Sequence, residues 1–396
     1  MSSAPFLTRV KLANYKSIKS CDFTMQPLMF LVGPNGSGKS NFLDALRFVS
    51  DSLDHSLDHA LRERGGVQEV RRRSGGHPTH FSVELAFQLP RGGSGSFRFR
   101  VGARPQGGFE LQEEACKFWD GQLPAGEFHY LVQKGVLIES SMSVAPPVAA
   151  DRLYLSNAAG LPGFREVYDA LTHMGFYNLN PDRMRDLQSP DSAPLLLRDG
   201  RNLTSVLGRM SQEDPDARER IEEILSVVAP GILGVEVRHF GPKETLEFRQ
   251  RVAGAKDPWR FYAAGMSDGT VRALGVLVAL FQPGTVARGR PTLIGIEEPE
   301  VALHPAALGA LMDGLREAAL STQVMVTSHS PDLLDFWDGD PDALCAVRSV
   351  EGVSHVAPID RASRMALRDD LYRPGELLRQ NQFIPAELES PQLTML

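Results

Sequence analysis

Hydrophobic and polar positions change period several times along the 396-residue chain. Phe6–Leu12 and Ser20–Met25 alternate as strands, and Leu28-Met29-Phe30-Leu31-Val32 is a continuous apolar run, the pattern of a strand buried on both faces. From Asn41 the period lengthens: Phe42, Leu43, Leu46 and Val49 predict a helix to about Leu53. His80–Leu89 and Ser96–Val101 return to period two, separated by glycine-rich turns at 91–95 and 106–108, which predicts an antiparallel β-section. A seam falls at Ser143-Val144-Ala145-Pro146-Pro147-Val148. Beyond it the signal is helical from about Asp151 to Gly231, clearest at Asp216–Val228 behind Pro215. Strands return at 234–240 and 245–248. The last third alternates: helix 269–281, strand 292–296, helix 305–320, strand 323–327, short helix 332–336, strands 344–348 and 354–358. Such alternation predicts a parallel sheet. We therefore divide the chain into a first lobe (1–145), a mainly helical insertion (146–232), a second lobe (233–365) and a polar tail (366–396). No heptads are sustained, so no long coiled coil is expected.

Composition narrows the classes without naming a function. Hydrophobics make up 42% and charged residues 23%, an ordinary globular balance. No apolar run has the length of a membrane span, and the opening residues lack a signal-peptide pattern, so a cytoplasmic protein without membrane contact is expected. Cys21, Cys116 and Cys345 are isolated thiols, which indicates neither a disulfide framework nor a zinc site. The net charge of −7 argues against bulk affinity for nucleic acid. Between Leu61 and Arg104, however, nine arginines face three glutamates. That basic stretch, Arg62 to Arg104 with Arg71–Arg73 inside it, makes DNA a candidate partner.

The strongest chemistry is Gly33-Pro34-Asn35-Gly36-Ser37-Gly38-Lys39-Ser40. It reads G-x-x-x-x-G-K-S between the apolar strand and the helix that starts near Asn41, the context a phosphate-binding P-loop needs. Glycines permit the backbone angles that turn successive N–H groups toward one anion, and the helix dipole points the same way. Lys39 supplies a mobile charge for the β- and γ-phosphates, and the Ser40 hydroxyl a ligand for Mg²⁺. The cofactors expected are a nucleoside triphosphate and Mg²⁺, the triphosphate being ATP by the resemblance described below.

Three later motifs complement it. Thr292–Ile296 is an apolar strand that ends in Glu297 and Glu298, at the end where ligands of open α/β sheets lie. Neighbouring strand residues point opposite ways, so the two acids divide the work: Glu297 for metal, Glu298 for polarising the attacking water. Gly265-Met266-Ser267-Asp268-Gly269-Thr270 opens a helix and describes a second anion-binding cap. Thr327-Ser328-His329-Ser330 places a histidine after another apolar strand, positioned to sense a γ-phosphate or the attacking water.

Taken in order, Walker A (33–40), an S-D-G-T signature (267–270), Walker B (293–298), Glu300–His304 at the D-loop position and His329 at the switch position resemble the ABC-type ATPase heads of the RecF/SMC class. The specific resemblance is to the RecF-like ATPases of the AAA_21 type; Tyr15-Lys16-Ser17-Ile18 and Asp199-Gly200-Arg201-Asn202-Leu203 share it. The resemblance implies an α/β P-loop NTPase fold with an ABC-type head, a mixed sheet of antiparallel β-section plus parallel core, and a helical insertion. It implies that Gly36, Gly38, Lys39, Ser40 and Asn41 bind nucleotide and metal, that Glu297 serves the metal and Glu298 catalysis, and that Ser267 and Gly269 reach a γ-phosphate across an ATP-dependent homodimer. Lys16 is a flanking contact, and a Q-loop glutamine is either Gln68 or Gln88. His304 stands where relatives carry Asp. DNA repair, recombination or DNA-linked defence is the expected setting.

Two other classes fit parts of the chain. A nucleotide-gated switch with little turnover, acting on an effector protein, accepts the same ATP site. A serine hydrolase uses Ser267, Glu298 and His329 in G-x-S-x-G order, but leaves the P-loop unexplained.

Overall fold

The computed structural model describes residues 5–73, 79–89, 92–121, 126–283 and 290–388. Of the sequence expectations, Arg91 of the basic stretch and residues 389–396 of the tail lie outside them. Strands run in chain order as β1 (Leu7–Tyr15), β2 (Ile18–Thr24), β3 (Leu28–Val32), β4 (His80–Gln88), β5 (Ser94–Ala103), β6 (Phe109–Trp119), β7 (Glu127–Gln133), β8 (Val136–Ser140), β9 (Gly175–Tyr177), β10 (Ile232–Phe240), β11 (Lys243–Gln250), β12 (Trp259–Tyr262), β13 (Leu293–Glu297), β14 (Gln323–Ser328), β15 (Leu344–Val350) and β16 (Val353–Pro358). The chain forms two compact units, each assembled from separated segments. Among the described residues, one holds those within 5–174, 340–371 and 381–388; the other holds those within 175–339 and 372–380. The helical stretch 146–232 contributes to both.

In the first unit the strand order is β8-β7-β6-β5-β4-β1-β2-β16-β15-β3. The meander from β4 to β8 is antiparallel throughout, as the period-two patterning predicts. β3 pairs parallel with β15, and β16 parallel with β2, so residues from the far C-terminal part of the sequence flank the strand that enters the P-loop. All five residues of β3 are buried. The helix Lys39–Asp54 lies on this sheet through its apolar face: Phe42 stacks on Phe23 with centroids 5.3 Å apart, and Phe48 meets Tyr15 and Phe81 edge-on. Rings that bury this much area fix the helix at both ends of its stripe.

In the second unit β13 lies between β14 and β9, all parallel. The helix Asp268–Phe281 is buried at every position from Val271 to Phe281, the pattern of a helix enclosed on all sides. A separate antiparallel sheet, β10-β11-β12, leads through a short 3₁₀ turn at Ala263–Gly265 into that helix. The tail expectation needs amending. Residues 361–368 and 374–379 are helical, and Pro374, Gly375 and Leu377 are buried.

Candidate functional site

The P-loop is shaped by its backbone. Gly36 and Gly38 hold φ of 74° and 108°, the left-handed region that glycine enters without strain. Gly33 is required for another reason: a Cβ there would run into the Val347 carbonyl of β15. Gly38 is the N-cap of the helix Lys39–Asp54, and no side chain caps that terminus. The Lys39 ammonium folds back onto the loop, donating to the carbonyls of Gly33 at 2.8 Å and Pro34 at 3.1 Å. Pro34, Asn35, Gly36 and Ser40 are exposed, while Ser37 and Lys39 are buried. Backbone amides at an uncapped helix start, a nearby ammonium and an exposed serine hydroxyl suit a phosphate chain with its divalent cation.

A hydroxyl chain that sequence reading missed supports this loop. Asn41 donates from Nδ2 to Ser17 Oγ at 2.7 Å, Ser17 Oγ lies 2.7 Å from Ser354 Oγ, and Ser354 donates to the Ser37 carbonyl at 2.6 Å. Asn41 therefore spends its amide on the β1–β2 turn. Ser354 lies 317 residues from Ser37, and nothing local in the sequence marks it. Below this chain Asp44 accepts from Tyr15 Oη at 2.8 Å, pairs with Lys16 at 2.6 Å and with Arg64 at 3.0 Å. Burial pushes the Asp44 carboxyl up, but the charges of Arg64 and Lys16 outweigh it and bring its pKa to about 2. Lys16, expected to flank the nucleotide, is thus held by Asp44.

The glutamine question is narrowed by position. Lys16 donates its N–H to the Val70 carbonyl, so the short helix Val67–Val70, which carries Gln68, adjoins the P-loop end of β1. Gln88 donates to the Phe6 carbonyl, at the opposite end of that nine-residue strand. The basic stretch is less free than its count implies. Arg62 pairs with Asp58, Arg64 with Asp44 and Asp51, Arg73 with Glu69, and Arg98 with Glu113.

The second unit gathers the acids and the histidine. Glu298 has φ of 46°, a left-handed conformation unusual for a residue with a side chain, at the end of β13. Strain of this kind persists where neighbours over-determine it. Here the Glu298 N–H donates to the Thr327 carbonyl at 3.0 Å, and buried Arg272 donates to the carbonyls of Glu297 at 3.3 Å and Glu298 at 3.2 Å. Burial pushes the Arg272 guanidinium down from its ordinary pKa, opposed by the charges of Glu300, Glu298 and Glu297. The Glu298 carboxylate meets His329 Nδ1 at 2.9 Å. Two residues on, Glu300 accepts from Ser328 Oγ at 2.6 Å, and Ser328 Oγ accepts the Ser330 N–H at 3.0 Å. Burial raises the Glu300 pKa, with the Ser328 hydroxyl pulling it back. The turn 298–300 and the loop 327–330 are thereby laced together around His329. The sequence places Glu300 in the D-loop stretch and Ser328 beside the switch histidine, but gives neither an individual role.

Glu297 points away from this lacing. Its Oε1 accepts from Arg198 at 3.0 Å, in the segment just before Asp199-Gly200-Arg201. Among the described residues no group of three or more His, Cys, Asp or Glu gathers as a metal cage.

At the signature, Ser267 is the N-cap of its own helix: its hydroxyl accepts the Thr270 N–H at 3.2 Å and lies 2.8 Å from Thr270 Oγ1. Asp268 is ion-paired with Arg185. A Cβ on Gly269 would strike the carbonyl of Ala302, so this glycine lets the helix start close against the 298–304 turn. Glu298 and His329 are bonded as the acid and base of a hydrolase triad would be, but the Ser267 hydroxyl bonds Thr270 and not the imidazole, so the nucleophile–base half is not assembled. His304 caps the following 3₁₀ turn through the Ala306 N–H.

The fold is that of a P-loop NTPase with the head architecture of SMC proteins. The family model described as "AAA domain, putative AbiEii toxin, Type IV TA system", AAA_21, matches residues 28–335, and the chain belongs to that family. An 85-residue stretch is 34% identical to the chromosome partition protein Smc of Rhodopseudomonas palustris, covering 21% of this chain and 7% of that protein. Among solved structures, the SmcHead bound to the C-winged helix domain of ScpA superposes with a TM-score of 0.55 at 16% identity, covering 91% of this chain and 99% of its own. The Smc head domain of Pyrococcus yayanosii gives 0.53 at 10% identity, covering 93% and 100%. At such identities the likeness concerns the fold. Among the described residues no helix is long and apolar enough to cross a membrane.

Proposed function

We propose that this chain binds and hydrolyses ATP, and that ATP joins two copies so that Ser267-Asp268-Gly269 of one completes the P-loop of the other. The observation that carries the reading is the Glu298–His329 pair at the end of a parallel strand, with Glu298 held in a left-handed backbone. A carboxylate fixed by its own main chain and bonded to an imidazole is equipped to take a proton from water and to keep that water aligned. Lys39 and the amides of the loop hold the phosphates, and Ser40 with Glu297 supplies protein ligands for Mg²⁺, which when bound neutralises charge on the phosphates. Arg198 occupies Glu297 in this structure and has to give way to the metal.

Glu298→Gln tests this directly. Turnover should fall by about 10²–10⁴, the usual worth of a general base, while nucleotide binding persists. Size-exclusion mass measurement should then find an ATP-bound dimer, and wild-type specific activity should rise with protein concentration. A Gln variant that hydrolyses at the wild-type rate removes Glu298 from its role.

A second reading, a nucleotide-gated switch that signals to an effector protein, is favoured by one observation. The signature serine and Asp268 are both engaged within their own unit, which makes assembly of a hydrolysing dimer conditional. An SMC head of similar fold has been solved bound to the C-winged helix domain of ScpA. DNA as a partner, in repair, recombination or defence, rests on the excess of arginine over acid in the Arg62–Arg104 stretch; affinity that falls steeply with salt would support it.

A further inference from the structure

The chain leaves the His329-bearing unit after Gly339, returns to it for residues 372–380 alone, and leaves again. Those nine residues form one short helix, Pro374–Arg379, opened by Pro374 and by Glu376 accepting the Arg373 N–H at 2.8 Å. The helix is seated on another short one, Pro331–Leu334, which begins two residues after His329. The fit is close: a Cβ on Gly375 would run into both the Pro331 carbonyl and Asp335 Oδ1. Arg379 then bonds two acids of the same element, Asp332 Oδ1 at 2.6 Å and Asp335 Oδ2 at 2.7 Å. The other oxygen of Asp335 is buried without a hydrogen-bond partner, so its charge relies on this arginine. From there the connection to the chemistry is short. Ser330 caps Pro331–Leu334 by accepting the Leu333 N–H, its own N–H is held by Ser328, and His329 between them bonds Glu298.

We propose that Arg379 is a positioning residue for hydrolysis. By holding Asp332 and Asp335 it fixes the short helix on which His329 is mounted, and it makes the segment 372–380 a control point on turnover. A four-residue helix has little stability of its own. Removing the guanidinium leaves Asp335 uncompensated and frees the mount to shift, and a displacement of about 1 Å at a catalytic group costs up to about a hundredfold in rate. The proposal rests on the ATPase reading above, and its test separates the two.

The test compares Arg379→Ala and Arg379→Lys with the wild type in the full chain, measuring kcat, nucleotide affinity and amide hydrogen exchange. In Arg379→Ala kcat should fall by about tenfold or more while nucleotide affinity stays within about twofold. Amides 329–335 should exchange faster, with those of 39–54 unchanged. Arg379→Lys should fall between the two, because one ammonium replaces a fork that holds two carboxylates. An unchanged kcat overturns the proposal, as does a joint loss of kcat, affinity and protection at 39–54, which would mark general unfolding. If the wild type shows no turnover the ATPase reading fails. Exchange at 329–335 then still decides the brace: faster in Arg379→Ala supports it, unchanged removes it.

Discussion

Two helices of this protein start behind glycine-containing turns, and their first turns are finished in opposite ways. Lys39–Asp54 begins at a left-handed Gly38, with no side chain capping it. Asp268–Phe281 begins at Ser267, whose hydroxyl already holds the Thr270 N–H, and Asp268 is paired with Arg185. A helix start attracts an external anion to the extent that its N–H groups have no other acceptor. The first is therefore a cradle made by the backbone and kept clear of competing side chains. The second supplies its own acceptor, and to serve as the phosphate contact proposed above Ser267 would have to turn away from Thr270. Sequence alone ranks the P-loop first by its motif but reads both as anion-binding helix starts.

The comparison is broken most forcefully at Lys39. Its ammonium rests on two carbonyls of the loop, so the charge is present where phosphate is expected but is bonded within the loop. Lys39→Ala should lower nucleotide affinity by about a hundredfold or more, since each charge-assisted hydrogen bond to phosphate is worth about 1.5–3 kcal/mol. Calorimetric titration measures it. If Lys39→Ala binds like the wild type, the first helix start is not the cradle and the contrast collapses.

What the sequence revealed follows the same division between local and distant causes. The P-loop, the strand ending in Glu297 and Glu298, and the helix after Ser267 were legible because each is specified by a contiguous run with its own period. The meander was legible only in part. β4 and β5 carry clean alternation, whereas β6 to β8 interleave charges such as Glu113, Glu114 and Lys117 that blur it. Glu114 shows why: it is fully buried, accepting from Tyr130 Oη and from the N–H groups of Tyr154 and Leu155, so its polarity in sequence says nothing about its exposure. Ser354, Arg198 and Arg379 were invisible because their partners lie far away in sequence. Six helical residues opened by Pro374-Gly375 are too few to show a period, so the reading of 366–396 as a plain tail missed them.

Asp44 sharpens the contrast by tying the uncapped helix down through charge. Its pKa, about 2 in the fold, lies below the ordinary 3.8 because Arg64 and Lys16 outweigh the effect of burial. The unfolded chain therefore takes up the proton first. The stabilisation is complete above pH 3.8, is lost as pH falls toward 2, and is worth about 2 kcal/mol. Denaturant titrations across that range should show a loss in the wild type that exceeds the loss in Asp44→Asn, which lacks this titrating group, by about 2 kcal/mol. A wild-type stability independent of pH between 3.8 and 2 would mean that the Lys16–Asp44–Arg64 cluster does not anchor the helix.

The smallest effect is expected at Ser267, and it is the one that separates a cap from a contact. As a cap alone, Ser267→Ala should cost about 1 kcal/mol of stability and leave turnover per molecule unchanged at every concentration. As a contact reaching a second copy's nucleotide, the same substitution should in addition flatten the rise of specific activity with protein concentration, because the composite site no longer closes. Ser267→Asn distinguishes the two further. Asparagine caps a helix as well as serine does, but it presents a bulkier amide where a phosphate would have to approach. Stability restored without restoration of the concentration dependence would mean that Ser267 is spent twice: on its own helix in the single chain, and on a nucleotide in the pair. Stability and concentration dependence recovering together would reduce the second helix start to an ordinary cap and leave the P-loop as the phosphate-binding terminus of the two.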